Sequence, residues 1–192
     1  MSARSGGPME QYRYTISQDD QMESVSEAWS TFAEENSATD LGPARIVGRS
    51  LWDFITDAET RQLYEHLFAR VREVQASVSV PFRCDAPAIR RFMRLTIAPA
   101  GSGSLELVVQ VVAEEERQEV ELLDVSIPRD SDLVTMCSWC LRVLVAPDQW
   151  DEVEVAIERL RLFERRVLPG ISHGVCPECF ARVMSVGGGE AP

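Results

Sequence analysis

Cys137 and Cys140 stand two residues apart in MCSWCLRV, and Cys176 and Cys179 repeat that spacing in SHGVCPECF. A Cys-x2-Cys turn can offer two thiolates to one metal at ~2.3 Å, and two such turns complete the tetrahedron that zinc favours. Pro177 stiffens the second turn. Three chemistries fit this donor set: a structural zinc, a redox dithiol, and iron or an iron–sulfur cluster. A redox dithiol characteristically opens a helix and needs no second pair, so zinc is the leading expectation. His173, three residues before Cys176, is either an alternative ligand or a group behind the ligands that donates a hydrogen bond to a thiolate.

The composition narrows the field. Apolar residues make up 45% of the 192, enough for a core without disulfide staples. No apolar run reaches the roughly 18 residues that would span a bilayer. The opening MSARSGGPMEQYRYT has no apolar stretch after its Arg, so a cytoplasmic protein is expected. In that reducing compartment, close Cys pairs point to metal or redox chemistry. The net charge is −12, and all 19 basic residues are Arg. A chain without Lys has no P-loop lysine and no Schiff base. Its acidity, which extends to the tail, argues against nucleic acid as a partner. With two His, no Ser–His–Asp context and no phosphate-cradling Gly loop, catalysis is not expected.

The elements that must position the cysteines follow from periodicity. Residues 12–17 alternate as a strand, and MESVS begins a second. EAWSTFAEEN places Trp29, Phe32 and Ala33 on one helical face. The strongest helical signal runs through SLWDFITDAETRQLYEHLFARVREV, with Asp57 as N-cap and Leu63, Leu67, Phe68 and Val71 inward. Strands are expected at 77–85, 90–100 and 105–115, broken by Pro87 and by GSGS. The fold class is α+β: a five-stranded antiparallel sheet over 11–115 with helices on one face. Residues 1–10 and 185–192 read as disordered, and 116–132 as a linker helix or loop. Residues 133–184 read as a small helical four-Cys metal module. Its inter-knuckle helix would start at Asp148 and carry Trp150, Val153, Ile157 and Leu160. So few apolar groups would need a metal to fold.

The element order, with VGRSLWDFITDAETRQLYEHLFARV and FRCDAPAIRRFMRLTIAP within it, resembles a PAS domain. The tail, with Cys137-Ser138-Trp139-Cys140, Trp150 and Ser172-His173-Gly174-Val175-Cys176-Pro177-Glu178-Cys179, resembles a small Cys-rich module found after sensory domains in bacterial signalling proteins. Together they imply a non-catalytic sensory or adaptor protein. It would hold zinc on Cys137, Cys140, Cys176 and Cys179, bind an unidentified small ligand or protein partner in its PAS-like half, and form a homodimer. Signals would pass by contact with another protein. Trp29, Trp52, Phe54 and Phe82 would form the core or line the ligand pocket.

Haem-binding PAS domains take an axial His from a helix near His66. The polar neighbours Gln62, Arg70 and Glu73 instead suggest an exposed side chain. Cys84 lacks the motif of a flavin-linked photosensor and reads as a partly buried structural thiol. Arg83, Arg90, Arg91 and Arg94 would pair with carboxylates, or hold an anion or an acidic partner. Two alternatives stay open: a thiol switch in which oxidation ejects zinc, and an iron-binding redox protein.

Overall fold

A computed structural model describes residues 11–35 and 42–186, without the side chains of 32–35. The expected disordered stretch 1–10, residues 187–192 of the one expected at 185–192, and the Phe32 and Ala33 side chains lie outside the described residues, whereas Ser185 caps the last helix.

The first half is the expected α+β arrangement. Strands β1 (Gln11–Ile16) and β2 (Met22–Val25) are followed by helices α1 (Glu27–Glu35), α2 (Pro43–Ile46) and α3 (Ala58–Val74). Strands β3 (Val78–Arg83), β4 (Ile89–Pro99) and β5 (Leu105–Glu116) then form a meander. All pairings are antiparallel, in the order β2-β1-β5-β4-β3. Period-two alternation sends Tyr12, Tyr14 and Ile16 of β1 and Met93, Leu95 and Ile97 of β4 out of solvent. A bulge on β5 breaks the pattern. Phe92 faces Ala113 and Met93 faces Val111, leaving Val112 unpaired and exposed.

Helix α3 supplies the other side of the core. Asp57 caps it, its carboxylate accepting the Thr60 N–H at 2.7 Å, and Leu63, Leu67, Phe68 and Val71 are fully buried at helical spacing. Its last turn is held by Arg72, which donates to the carbonyls of Gly103 and Ser17 at 2.9 Å and to Asp20 at 2.7 Å. Gly101 and Gly103, both at positive φ, make the β4–β5 turn that presents one of those carbonyls.

The tail differs from a helical module. It contains a second, four-stranded sheet in the order β8-β7-β6-β9. The strands are β6 (Arg129–Cys137), β7 (Val143–Ala146), β8 (Gln149–Asp151) and β9 (Leu168–Gly174), with β6 and β9 parallel. Helix α4 (Val153–Arg159) is shorter than expected, and helix α5 (Pro177–Met184) follows β9. Asp148 is not an N-cap. It adopts a left-handed conformation in the β7–β8 hairpin, Trp150 lies in β8, and Glu152 occupies the cap position. Trp150, Val153 and Ile157 have helical spacing, but the tight turn at Asp148 reverses the chain before the helix begins.

Of the linker expected at 116–132, residue 116 ends β5 and residues 129–132 belong to β6, while 117–128 form an irregular segment with one 3-10 turn at Glu121–Leu123. Its Val120 and Leu122 are buried with Met136, Val143, Val153, Ala156 and Leu162 in a core of the tail's own. The cysteine end of the tail belongs to the other core. Cys137, Trp139, Val175, Cys176, Cys179 and Val183 pack in one cluster with Leu63, Leu67 and Phe68 of α3.

Candidate metal centre

The first Cys pair lies in a turn between β6 and β7. The Leu141 N–H returns to the Cys137 carbonyl at 2.9 Å, and Leu141 takes a positive φ to close the turn. The second pair opens α5, with Cys176 as N-cap and Pro177 in the first turn. Parallel pairing of β6 with β9 aligns Cys137 with Gly174, and the Ser138 N–H donates to the Gly174 carbonyl at 2.9 Å. Residues 36 and 37 positions apart in the chain thereby become neighbours.

The four sulfurs of Cys137, Cys140, Cys176 and Cys179 all lie within 4.8 Å of one another. Ligands at ~2.3 Å in a tetrahedron stand about 3.8 Å apart, and the Sγ atoms of Cys140 and Cys176 are 3.7 Å apart. A disulfide needs about 2.05 Å, and all five cysteines are free thiols.

Backbone and side-chain donors are aimed at the sulfurs. The Cys176 N–H reaches Cys137 Sγ at 3.3 Å, and the Cys179 N–H reaches Cys176 Sγ at 3.4 Å. Arg182 donates to Cys179 Sγ at 3.2 Å. Hydrogen bonds from Cys140 and Cys179, with the N–H groups of Cys176 and Cys140 behind them, hold the Cys137 thiol far below its ordinary range. Its thiolate in turn pushes Cys140 up to about 12, and Cys137 and Cys140 together push Cys179 upward. Four sulfurs this close cannot all be anionic beside one another alone. A soft divalent cation removes that conflict by taking all four as thiolates. The donor set therefore fits a metal ion.

Two interlocks fix the centre to the first half. Trp139, between the Cys of the first pair and 2% exposed, donates its indole N–H to the Pro81 carbonyl at 2.8 Å. Its own carbonyl accepts the Arg83 N–H at 2.9 Å, so the turn continues the free edge of β3. Its ring lies 5.6 Å from that of Tyr64 and 6.4 Å from that of Phe82. On the other pair, the Glu59 carboxylate in the first turn of α3 accepts the Val175 N–H at 2.7 Å.

Beside these interlocks runs an ion network. The Asp85 carboxylate is wholly buried and pairs with Arg83 and, at 3.1 Å, Arg117. Arg83 also pairs with Glu152, and Arg90 with Glu154 at 2.8 Å. Arg91 pairs with Glu114 at 2.7 Å. These arginines thus pair with carboxylates, as expected, and two of those carboxylates belong to the tail. Arg94 is exposed.

The remaining candidates are placed differently. His173 is exposed, paired in register with Met136, and outside the sulfur group. The side-chain donor to a sulfur is Arg182 instead. Its position three residues after Cys179 on α5 was a readable signal. Glu59 carries no local signal, because 116 residues separate it from Val175. His66 is half-buried rather than exposed, and its Nε2 is covered and has no hydrogen-bond partner. Cys84 is half-buried just past β3, with burial raising its pKa. Trp29 and Phe54 line a cavity of about 180 Å³ between sheet and helices, together with Tyr14 and Tyr64. Phe82 faces a separate cleft at the seam. Trp52 is fixed by an indole hydrogen bond to Asp20 at 3.1 Å.

Among the described residues no helix is long and apolar enough to cross a membrane. No protein-family model matches the chain, and no curated protein does either. A solved domain of an HTR-like protein from Haloarcula marismortui ATCC 43049 aligns with 54% of this chain and 99% of its own length. The identity is 15% and the TM-score 0.39, a weak likeness that assigns neither a fold family nor an activity.

Proposed function

We propose that this chain is a non-catalytic sensory or adaptor protein of a bacterial cytoplasm, with a PAS-like first half and a zinc ion held by Cys137, Cys140, Cys176 and Cys179. The observation that carries the reading is the residue between the first two ligands. Trp139 belongs at once to the sulfur turn and to the core of the five-stranded half. A change on either side of that contact alters the other, as a sensor needs when its output is contact with another protein. The order of strands and helices supports the PAS-like reading. The sulfur spacing and the absence of disulfides support zinc.

Zinc would organise the two turns and offset two of the four thiolate charges. Arg182 would balance part of the remaining negative charge. The test is substitution of Ser for all four cysteines. Loss of bound zinc together with loosening of the tail supports the reading. A variant that keeps the metal or the parent's stability overturns it.

The redox reading retains one specific support: Cys176 is the N-cap of α5, where backbone N–H groups favour a thiolate. Peroxide treatment that releases zinc and forms a disulfide within Cys137–Cys140 or Cys176–Cys179 supports a switch. Retention of zinc under those conditions removes it.

A further inference from the structure

The seam between the two halves holds an open cleft of about 330 Å³, distinct from the smaller cavity between sheet and helices. Three aromatic rings line it: Tyr64 from α3, Phe82 from β3 and Trp139 from the first sulfur turn. Three polar side chains line it as well. Thr60 is 8% exposed and its hydroxyl oxygen is buried without a hydrogen-bond partner. The Ser138 hydroxyl and the His173 imidazole have no side-chain partner among the described residues. Arg83 and Asp85 also border the cleft, but they are bound to each other and, respectively, to Glu152 and Arg117.

This composition selects a ligand class. Pockets that hold small molecules are mostly apolar or aromatic, with a few convergent polar groups, and begin at about 300 Å³. The cleft is at the small end of that range. Its charged groups are already compensated, so an anion or cation would gain little and would have to break existing pairs. Its uncommitted groups are hydroxyls and an imidazole, which can donate or accept a hydrogen bond. We propose that the seam cleft binds an uncharged, flat, two-ring aromatic molecule bearing a carbonyl or hydroxyl group. The rings of Tyr64, Phe82 and Trp139 take its faces and edges, and Thr60, Ser138 and His173 take its polar group. A molecule seated there touches α3, β3 and the turn that carries Cys137 and Cys140. The site is defined by the seam and does not depend on the choice of metal.

Coumarin, neutral and bicyclic with one carbonyl, is a suitable probe. It would be titrated into the full chain as purified, with backbone and indole N–H resonances followed by NMR. Saturable shifts centred on Thr60, Ser138 and the Trp139 indole are expected. The double variant Thr60→Val, Ser138→Ala, with the fold and metal content of the parent, should bind about tenfold more weakly. Leu123→Trp, which fills the cleft from the linker side, should abolish binding. Shifts confined to Tyr14, Trp29 and Ile46 would place the probe in the other cavity and overturn the proposal. Absence of saturation, or an unchanged affinity in the double variant, would overturn it equally.

Discussion

The indole N–H of Trp139 donates to the Pro81 carbonyl at 2.8 Å. A residue enclosed by two cysteines of the sulfur group is thereby bonded to the edge strand of the other sheet. The two halves should therefore not behave as independent folding units. In the metal-loaded protein, Trp139→Ala should cost about 3–5 kcal/mol, because a large buried ring is removed and a cavity is left. Denaturant unfolding followed by probes in each half should show one shared transition in the parent.

Metal removal should act at the same distance. Chelation leaves four crowded thiols and slackens both turns, so the Trp139 contact weakens with them. Hydrogen exchange should then accelerate at β3 and in the first turn of α3 as well as in the tail. Exchange that changes only within 133–184 would mean that the seam does not carry the effect.

Arg182 and His173 make opposite expectations. Arg182→Gln removes the guanidinium that donates to Cys179 Sγ at 3.2 Å. Loss of such a supporting partner lowers metal affinity about 10-fold or more. His173→Ala should leave affinity unchanged, since His173 lies outside the sulfur group. Competition with a chromophoric chelator measures both.

Asp85 is the most exposed to substitution in the energetic sense, because its side chain is completely buried between Arg83 and Arg117. Asp85→Asn removes the buried charge that Arg83 and Arg117 share, leaves each only its outer partner, Glu152 and Glu154 respectively, and should cost about 3–5 kcal/mol. Equilibrium denaturation checks this value, and a cost below 1 kcal/mol would show that Glu152 and Glu154 suffice.

The alkaline limit should be set by two phenols. Burial raises the pKa of Tyr14 well above 10, with Tyr64 nearby adding to it, and burial lifts Tyr64 to about 12. The neutral phenol is favoured in the folded protein, so the unfolded chain ionises first. Their contribution is complete below pH ~10 and is lost as the pH rises through about 12. Tyr64→Phe should flatten the decline in stability over that window.

Much of the first half was legible because its signals are local. Period-two alternation in β1 and β4, the Asp57 cap, and the spacing of Leu63, Leu67, Phe68 and Val71 each act within a few residues. The cysteine pairs announced the donor set for the same reason. The tail was misread where local pattern and tertiary structure disagree. Trp150, Val153 and Ile157 fit a helix, yet Asp148 turns the chain and puts Trp150 in a strand. The parallel β6–β9 pairing, the Glu59–Val175 bond and the docking of Trp139 join distant segments, and no neighbouring residue encodes them. His173 was the more conspicuous residue by type, but it lies exposed in β9 outside the sulfur group, while one turn of α5 carries Arg182 back to Cys179 Sγ.

The most direct test is metal analysis joined to X-ray absorption on protein purified without added metal. The account expects one zinc per chain with four sulfur neighbours at about 2.3 Å. Iron, a nitrogen ligand in place of a sulfur, or a metal-free protein with pairwise-oxidised cysteines would contradict it.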